Sequence, residues 1–398
     1  MFKKVVSLLL FSGFTYTFAQ VSDSVVTGPQ NSNDVFYSLE NGVIKTEPNN
    51  NWDLAFEIAG FSASVRVNHV KGMEVYQSPY PSSGWSKFDS TGKNAWEKLY
   101  NSQYTWTLGA FNRHTDGNFD LGWGVYNPGN HIIAGDSIYL VKLGDGSFVK
   151  LTFINLNSGV YNFKYAKPDG SGEKTISVSK ADYKNKNFIY FSFTGDAIID
   201  REPPTGDYDL VFTKYLEFIP TPYAVAGVWT NKGTQAAEAR NVPVTTENYY
   251  AYHFSDTNSV IGYDWKTYNQ SLNKYEITSD LVYFVNPANG SHWKIVFTGY
   301  KGGNNGTYYF NKKALIGSVK QSLTSTQKVY PNPAQNVLNI ETKNGILNQW
   351  MLADLNGKTV MTGNTNILDI NEIPSGVYFL NVQIGETWSH IQIHKVSK

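Results

Sequence analysis

The chain has 398 residues, 33 acidic and 33 basic side chains, and no cysteine. That composition excludes disulfide bracing, thiol nucleophiles, cysteine-based zinc sites and a lipid-bearing cysteine, so packing alone must hold the fold. No basic stripe or cluster interrupts the sequence, so the charge footprint that nucleic acid or an anionic membrane needs is missing.

At the start, Lys3 and Lys4 precede a mostly apolar run over residues 5–14, and Thr17-Phe18-Ala19 offers small residues before a cut. This order predicts a signal peptide over residues 1–19. Losing its two lysines leaves a net charge of about −2. No later stretch approaches the roughly 20 apolar residues of a membrane helix, so no membrane span is expected.

The body is rich in aromatic residues, with 27 Tyr, 23 Phe and 10 Trp, which favour pleated, half-buried surfaces. Short alternating runs are cut by Gly, Asn, Asp and Pro, as in GDSIYLVKLGDGSFVKLTF over residues 135–153, where Asp145-Gly146 reads as a hairpin turn. Only residues 94–100 (NAWEKLY) and 234–240 (TQAAEAR) suggest short helices. The fold class is therefore all-β.

A long internal repeat runs through this body. NWDLAF at 51–56 matches DYDLVF at 207–212, and the hairpin at 138–153 aligns without a gap on 282–297. FYSLENGVI from Phe36 and YFSFTGDAI from Tyr190 precede them, each followed by a Glu-Pro pair. Closing strands of the form Gly-x-Tyr-x-Phe occur at 159–163 and 306–310. A repeat of this length denotes a duplicated domain rather than a solenoid. The expectation is two tandem similar β-domains, residues 34–180 and 183–316, then a small polar linker, 317–327.

Residues 328–398 form a third unit. KVYPNP is followed by AQNVLNIE, ADLNGKTVMTG and LDINEIPSGVYFLNVQIG, then a basic end. Alternating strands and Asn-Gly and Ser-Gly turns predict a small C-terminal β-sandwich-like domain. These motifs and their position resemble the type A sorting domain of the type IX secretion system of Bacteroidetes. The resemblance implies recognition by the outer-membrane translocon through residues 328–398. It also implies passage through the periplasm, removal of the tail, and a secreted or cell-surface destination.

The motif order in each repeat resembles the HmuY family of secreted haem-binding proteins. An aromatic strand (residues 36–39) leads to a Trp-Asp-hydrophobic-Ala-Phe motif (52–56) and a Val-Arg-Val-Asn segment (65–68). An acidic-glycine hairpin turn, Lys150-Leu151-Thr152-Phe153 and a closing strand follow. The resemblance implies haem as cofactor, held by one or two axial side chains in an aromatic slot. In the corresponding window it points to His131, in the loop before the hairpin, with His114 or Met73 as its partner. The second repeat has no His in that loop, so no second haem site is expected.

Enzyme templates are missing: the sequence lacks a G-x-S-x-G elbow, H-E-x-x-H, a phosphate-binding loop and a dinucleotide fingerprint. Asp200, Glu202 and Asp209 lie beside a Pro-Pro turn and read as ordinary solvated acids. The expected function is a secreted or surface-attached ligand-binding protein that is not an enzyme. The alternative is carbohydrate binding or adhesion to a surface glycan, with Trp85, Trp96, Trp106 and Trp123 as stacking platforms.

Overall fold

Strand alternation decides which side chains enter which layer, and the computed structural model describes residues 20–60, 62–315, 327–342, 346–354, 358–384 and 387–397. The signal reading at 1–19 and all of the 317–327 linker except Gln327 lie outside the described residues. The chain divides into two compact units, a body ending at Leu315 and a tail beyond it.

The body is built of antiparallel sheets around two main cores. In the first, Lys174–Ser179, Val160–Ala166, Phe148–Asn157, Ser137–Lys142, Glu74–Pro81 and Lys98–Leu99 lie side by side. A four-stranded sheet packs against them, in the order Ala197–Ile199, Phe188–Ser192, Leu54–Glu57, Val65–Val67. Leu54, Phe56, Tyr139, Leu151, Phe153, Ile189 and Phe191 fill the space between. The second core has a five-stranded sheet, Val21–Val26, Thr307–Leu315, His292–Tyr300, Leu281–Asn286, Gln235–Arg240. Its four-stranded counterpart runs Pro222–Thr230, Leu210–Phe218, Asn33–Ser38, Gly42–Pro48. Tyr37, Phe212, Trp265, Tyr283, Phe297 and Phe310 pack between those two.

Strand pairing crosses the line between the consecutive units expected at 34–180 and 183–316. Leu54 pairs with Phe191, and Leu210 pairs with Tyr37. Each early hairpin therefore completes the sheet of the other half, and the first core draws only on residues between Leu54 and Phe193. The aspartates of the two Asp-Leu motifs fix this exchange. The Asp53 carboxylate accepts the N–H of Phe193 at 2.7 Å and pairs with Lys71 at 2.7 Å. Asp209 accepts the N–H of Leu39, also at 2.7 Å. A buried N–H left unpaired would cost about 1–3 kcal/mol, so these contacts set the register.

The helix expectation at 234–240 gives way to the strand Gln235–Arg240, paired with Leu281–Asn286. Ala236 enters the second core while Ala237 and Ala239 pack on the opposite face. Burial on both faces overrides the helical preference of alanine. Around 94–100 the chain forms a 3-10 turn, Lys93–Ala95, and the short strand Lys98–Leu99.

In the tail, Gln327–Tyr330, Val337–Thr342 and Ile367–Asp369 form one sheet. Thr359–Gly363, Leu347–Ala353, Gly376–Ile384 and Thr387–Lys395 form the other. Leu338, Ile340, Trp350, Leu352, Leu380 and Ile393 fill the space between them, giving the expected sandwich-like arrangement. The turn expected at Asn356-Gly357 lies outside the described residues.

Candidate functional site

Residues that alternate away from the two cores meet each other. Ala55, Arg66, Phe188 and Tyr190 leave one four-stranded sheet, and Phe36, Val211, Thr213, Tyr215 and Trp229 leave the other. Between them is a cavity of about 90 Å³. A drug-sized ligand occupies a pocket of roughly 300–1,000 Å³, so this space suits a much smaller group. Trp52, Trp106, Tyr208, Arg201 and Glu202 complete its wall.

The wall carries two buried arginines. Arg201, 2% exposed, donates from Nη2 to Asp34 at 2.8 Å and to the carbonyl of Pro48 at 3.1 Å. Its guanidinium lies 5.0 Å from the Tyr190 ring centre and 5.8 Å from that of Trp52, within cation–π range. Asp34 accepts in turn from the Thr213 hydroxyl at 2.6 Å. Arg66, 4% exposed, donates to the carbonyls of Thr105 at 3.0 Å and Ser102 at 2.7 Å. It sits 5.5 Å and 5.6 Å from the rings of Trp106 and Trp229. Burial pushes its pKa down to about 10.

Glu202 is not solvated, contrary to the sequence reading, and is 3% exposed. Its carboxyl accepts the N–H groups of Asn187 at 3.0 Å and Phe188 at 2.9 Å, and the Tyr190 hydroxyl at 2.5 Å. Burial raises its pKa to about 7, and those hydrogen bonds act in the opposite direction. His69 also lines the cavity. Its Nδ1 lies 3.1 Å from the Met73 carbonyl, and its Nε2 accepts the N–H of Asn101 at 3.3 Å. Both ring nitrogens are therefore engaged, and burial depresses the pKa to about 4.

Four other polar atoms of the wall are buried without a protein partner: Trp52 Nε1, Trp229 Nε1, Arg201 Nε and the Tyr215 hydroxyl. Buried polar groups are nearly always paired, and leaving one unpaired costs about 1–3 kcal/mol. Their side chains line the cavity, while these atoms themselves are closed off from it.

None of the residues expected to hold haem lines this cavity. His131 is exposed in the turn between Gly124–Asn127 and Ile132–Gly135, with Nδ1 at 2.6 Å from the Tyr126 hydroxyl. His114 is exposed too and faces Glu97 at 3.1 Å. Met73 is 2% exposed within the first core. The three occupy three different settings rather than one slot. Of the four expected sugar platforms, Trp123 is fully buried in the first core, Trp106 lines the cavity, and Trp96 packs on Phe88. The Trp85 ring is bracketed by the ammonium groups of Lys150 and Lys164, each 4.5 Å away.

Residues 328–395 match the family model of the secretion system C-terminal sorting domain. The tail is a sorting domain. It marks the chain as secreted or held at the cell surface, and it implies contact with the secretion machinery. No helix among the described residues is long and apolar enough to cross a membrane. No curated protein matches the chain. A solved structure from Bacteroides vulgatus, described as an HmuY-like heme binding protein, is 14% identical, with a TM-score of 0.18. The likeness covers 43% of this chain and 93% of that one.

Proposed function

We propose that this chain is a secreted or surface-held binding protein whose body receives a small ligand in the cavity between its two four-stranded sheets. The sorting tail supplies the destination. The observation that supports a ligand is the cavity itself, which the outward faces of the two sheets line with aromatic rings and two buried arginines. A binding role suits the wall better than a catalytic one. His69 has both nitrogens occupied, and the Glu202 carboxyl already accepts three hydrogen bonds. Neither group is free to move a proton to or from a substrate.

Native mass spectrometry of the secreted protein tests this. A small-molecule adduct is expected on the wild type and is expected to vanish in Ala55→Leu. The longer side chain would occupy the cavity from the outward face of its strand, whereas the neighbours Leu54 and Phe56 remain in the core.

Haem capture at His131 is a second reading. It is favoured by the Tyr126 hydroxyl at Nδ1, which fixes the ring and leaves Nε2 as the ligating atom, as outer hydrogen bonds do for metal-bound imidazoles. Haemin titration should then give a sharpened Soret band that is lost in His131→Ala. His114→Ala and Met73→Leu would identify the partner. A spectrum indifferent to His131 would end this reading and leave the cavity reading intact.

A further inference from the structure

The surface that the cavity presents is mostly apolar, and aromatic rings from both sheets contribute to it. Phe188 and Tyr190 come from one sheet, Phe36 and Trp229 from the other. Trp106 touches both, its ring centre 5.9 Å from that of Phe188 and 5.0 Å from that of Trp229. Trp52 meets Tyr190 edge-on at 5.1 Å. These rings are already arranged at the separations, about 4.5–7 Å, at which aromatic groups attract one another.

The polar groups of the wall turn towards the protein. Arg66 spends its terminal nitrogens on the carbonyls of Ser102 and Thr105, and Arg201 spends Nη2 on Asp34 and the carbonyl of Pro48. Trp106 Nε1 donates to the carbonyl of Thr230 at 2.9 Å. The indole N–H groups of Trp52 and Trp229 and the Tyr215 hydroxyl are closed off. A charged or strongly polar ligand entering here would shed its water and meet mainly ring surfaces, which is costly. An apolar ligand loses nothing by the exchange and gains the contact.

Resting on the reading of this cavity as a binding site, we infer that its ligand is a small uncharged apolar molecule, no larger than a single six-membered ring, held by contact with the rings of the wall. Size sets the upper limit. An apolar cavity of about 150 Å³ admits benzene, and this one measures about 90 Å³. Sugars fit poorly, because each hydroxyl needs a partner that the rings do not offer. A cation would face two guanidinium groups, and a peptide would bring backbone N–H and carbonyl groups with the same need as the sugar.

Indole resonances report such a contact through ring-current shifts, and the chain has 10 tryptophans to display. The full chain would be labelled with 15N-tryptophan and titrated with benzene, and with pyridine in mildly alkaline buffer, where that ring is uncharged. Benzene is expected to shift the Trp52 and Trp106 resonances saturably, each peak identified by its loss in the Trp→Phe variant. Trp123, fully buried in the first core, and Trp85, on the far side of its sheet, should stay in place. Ala55→Leu should abolish the shifts. Pyridine keeps the shape but adds an acceptor that must be desolvated, so it should bind at least tenfold more weakly. Lining indoles unmoved by benzene, benzene shifts no larger there than at Trp85, or pyridine binding as tightly as benzene would each overturn the apolar assignment. A native adduct lost in Ala55→Leu would then still support the cavity as a site for another ligand, so the two failures are separable.

Discussion

Glu202 and His69 line the same cavity and titrate in opposite senses. The Glu202 carboxyl rises from 4.5 to about 7 in the folded chain. The native state therefore holds its proton more tightly, and the stability from this group is complete below about pH 4.5 and lost as pH rises through about 7. The His69 imidazole falls from 6.5 to about 4. Its contribution is present above about pH 6.5 and lost as pH falls through about 4. The two slopes oppose one another, so neither shows alone. Glu202→Gln isolates one of them. Urea unfolding should find the stability of the wild type relative to this variant falling by roughly 2–3 kcal/mol between about pH 4.5 and 7.5. A constant difference would mean that the carboxyl is not held neutral by burial. At this scale the sequence was poorly legible. Beside Pro203-Pro204, Glu202 looks like a turn residue, because its donors at Asn187 and Phe188 lie on another strand. Arg66 is a charge inside Val-Arg-Val, and its carbonyl partners at Ser102, Thr105 and Trp106 come from a loop with no pattern to announce them. A lone arginine between two core valines was the available signal.

Single strands were easier to read than their partners. Alternation located Leu54–Glu57 and Leu210–Phe218 and both long hairpins, with Gly146 and Gly290 at the turns in the left-handed region, φ 86° and 78°. Which hairpin joins which sheet depends on contacts between residues more than 130 apart, and local patterning carries no such information. The register Leu54–Phe191 and Leu210–Tyr37 has a direct consequence. A fragment spanning residues 49–203 contains every residue of the first core. It is expected to fold alone, with one cooperative urea transition. A 34–180 fragment lacks Phe188–Ser192, so Leu54–Glu57 loses a neighbour and Ile189 and Phe191 leave the core. It should show no cooperative transition. Cooperative folding of the shorter fragment and not the longer one would contradict the exchange of hairpins.

For the whole molecule, the C-terminal motifs were the most legible feature, because a sorting domain must present itself to a common machinery. The cavity was the least legible, since it exists only where the outward faces of two sheets meet. The division of the chain at Leu315 predicts that secreted material has lost the tail. Its polypeptide mass should end before Lys328, and a mass retaining Lys398 would refute processing. The proposed function requires the cavity between the sheets to be occupied in the working protein. The most direct test is the native mass spectrum of the protein recovered from its own secretion route, wild type beside Ala55→Leu. A small adduct is expected on the wild type and is expected to be missing from a folded Ala55→Leu protein. A bare wild type, or an adduct of equal abundance on both, would contradict it.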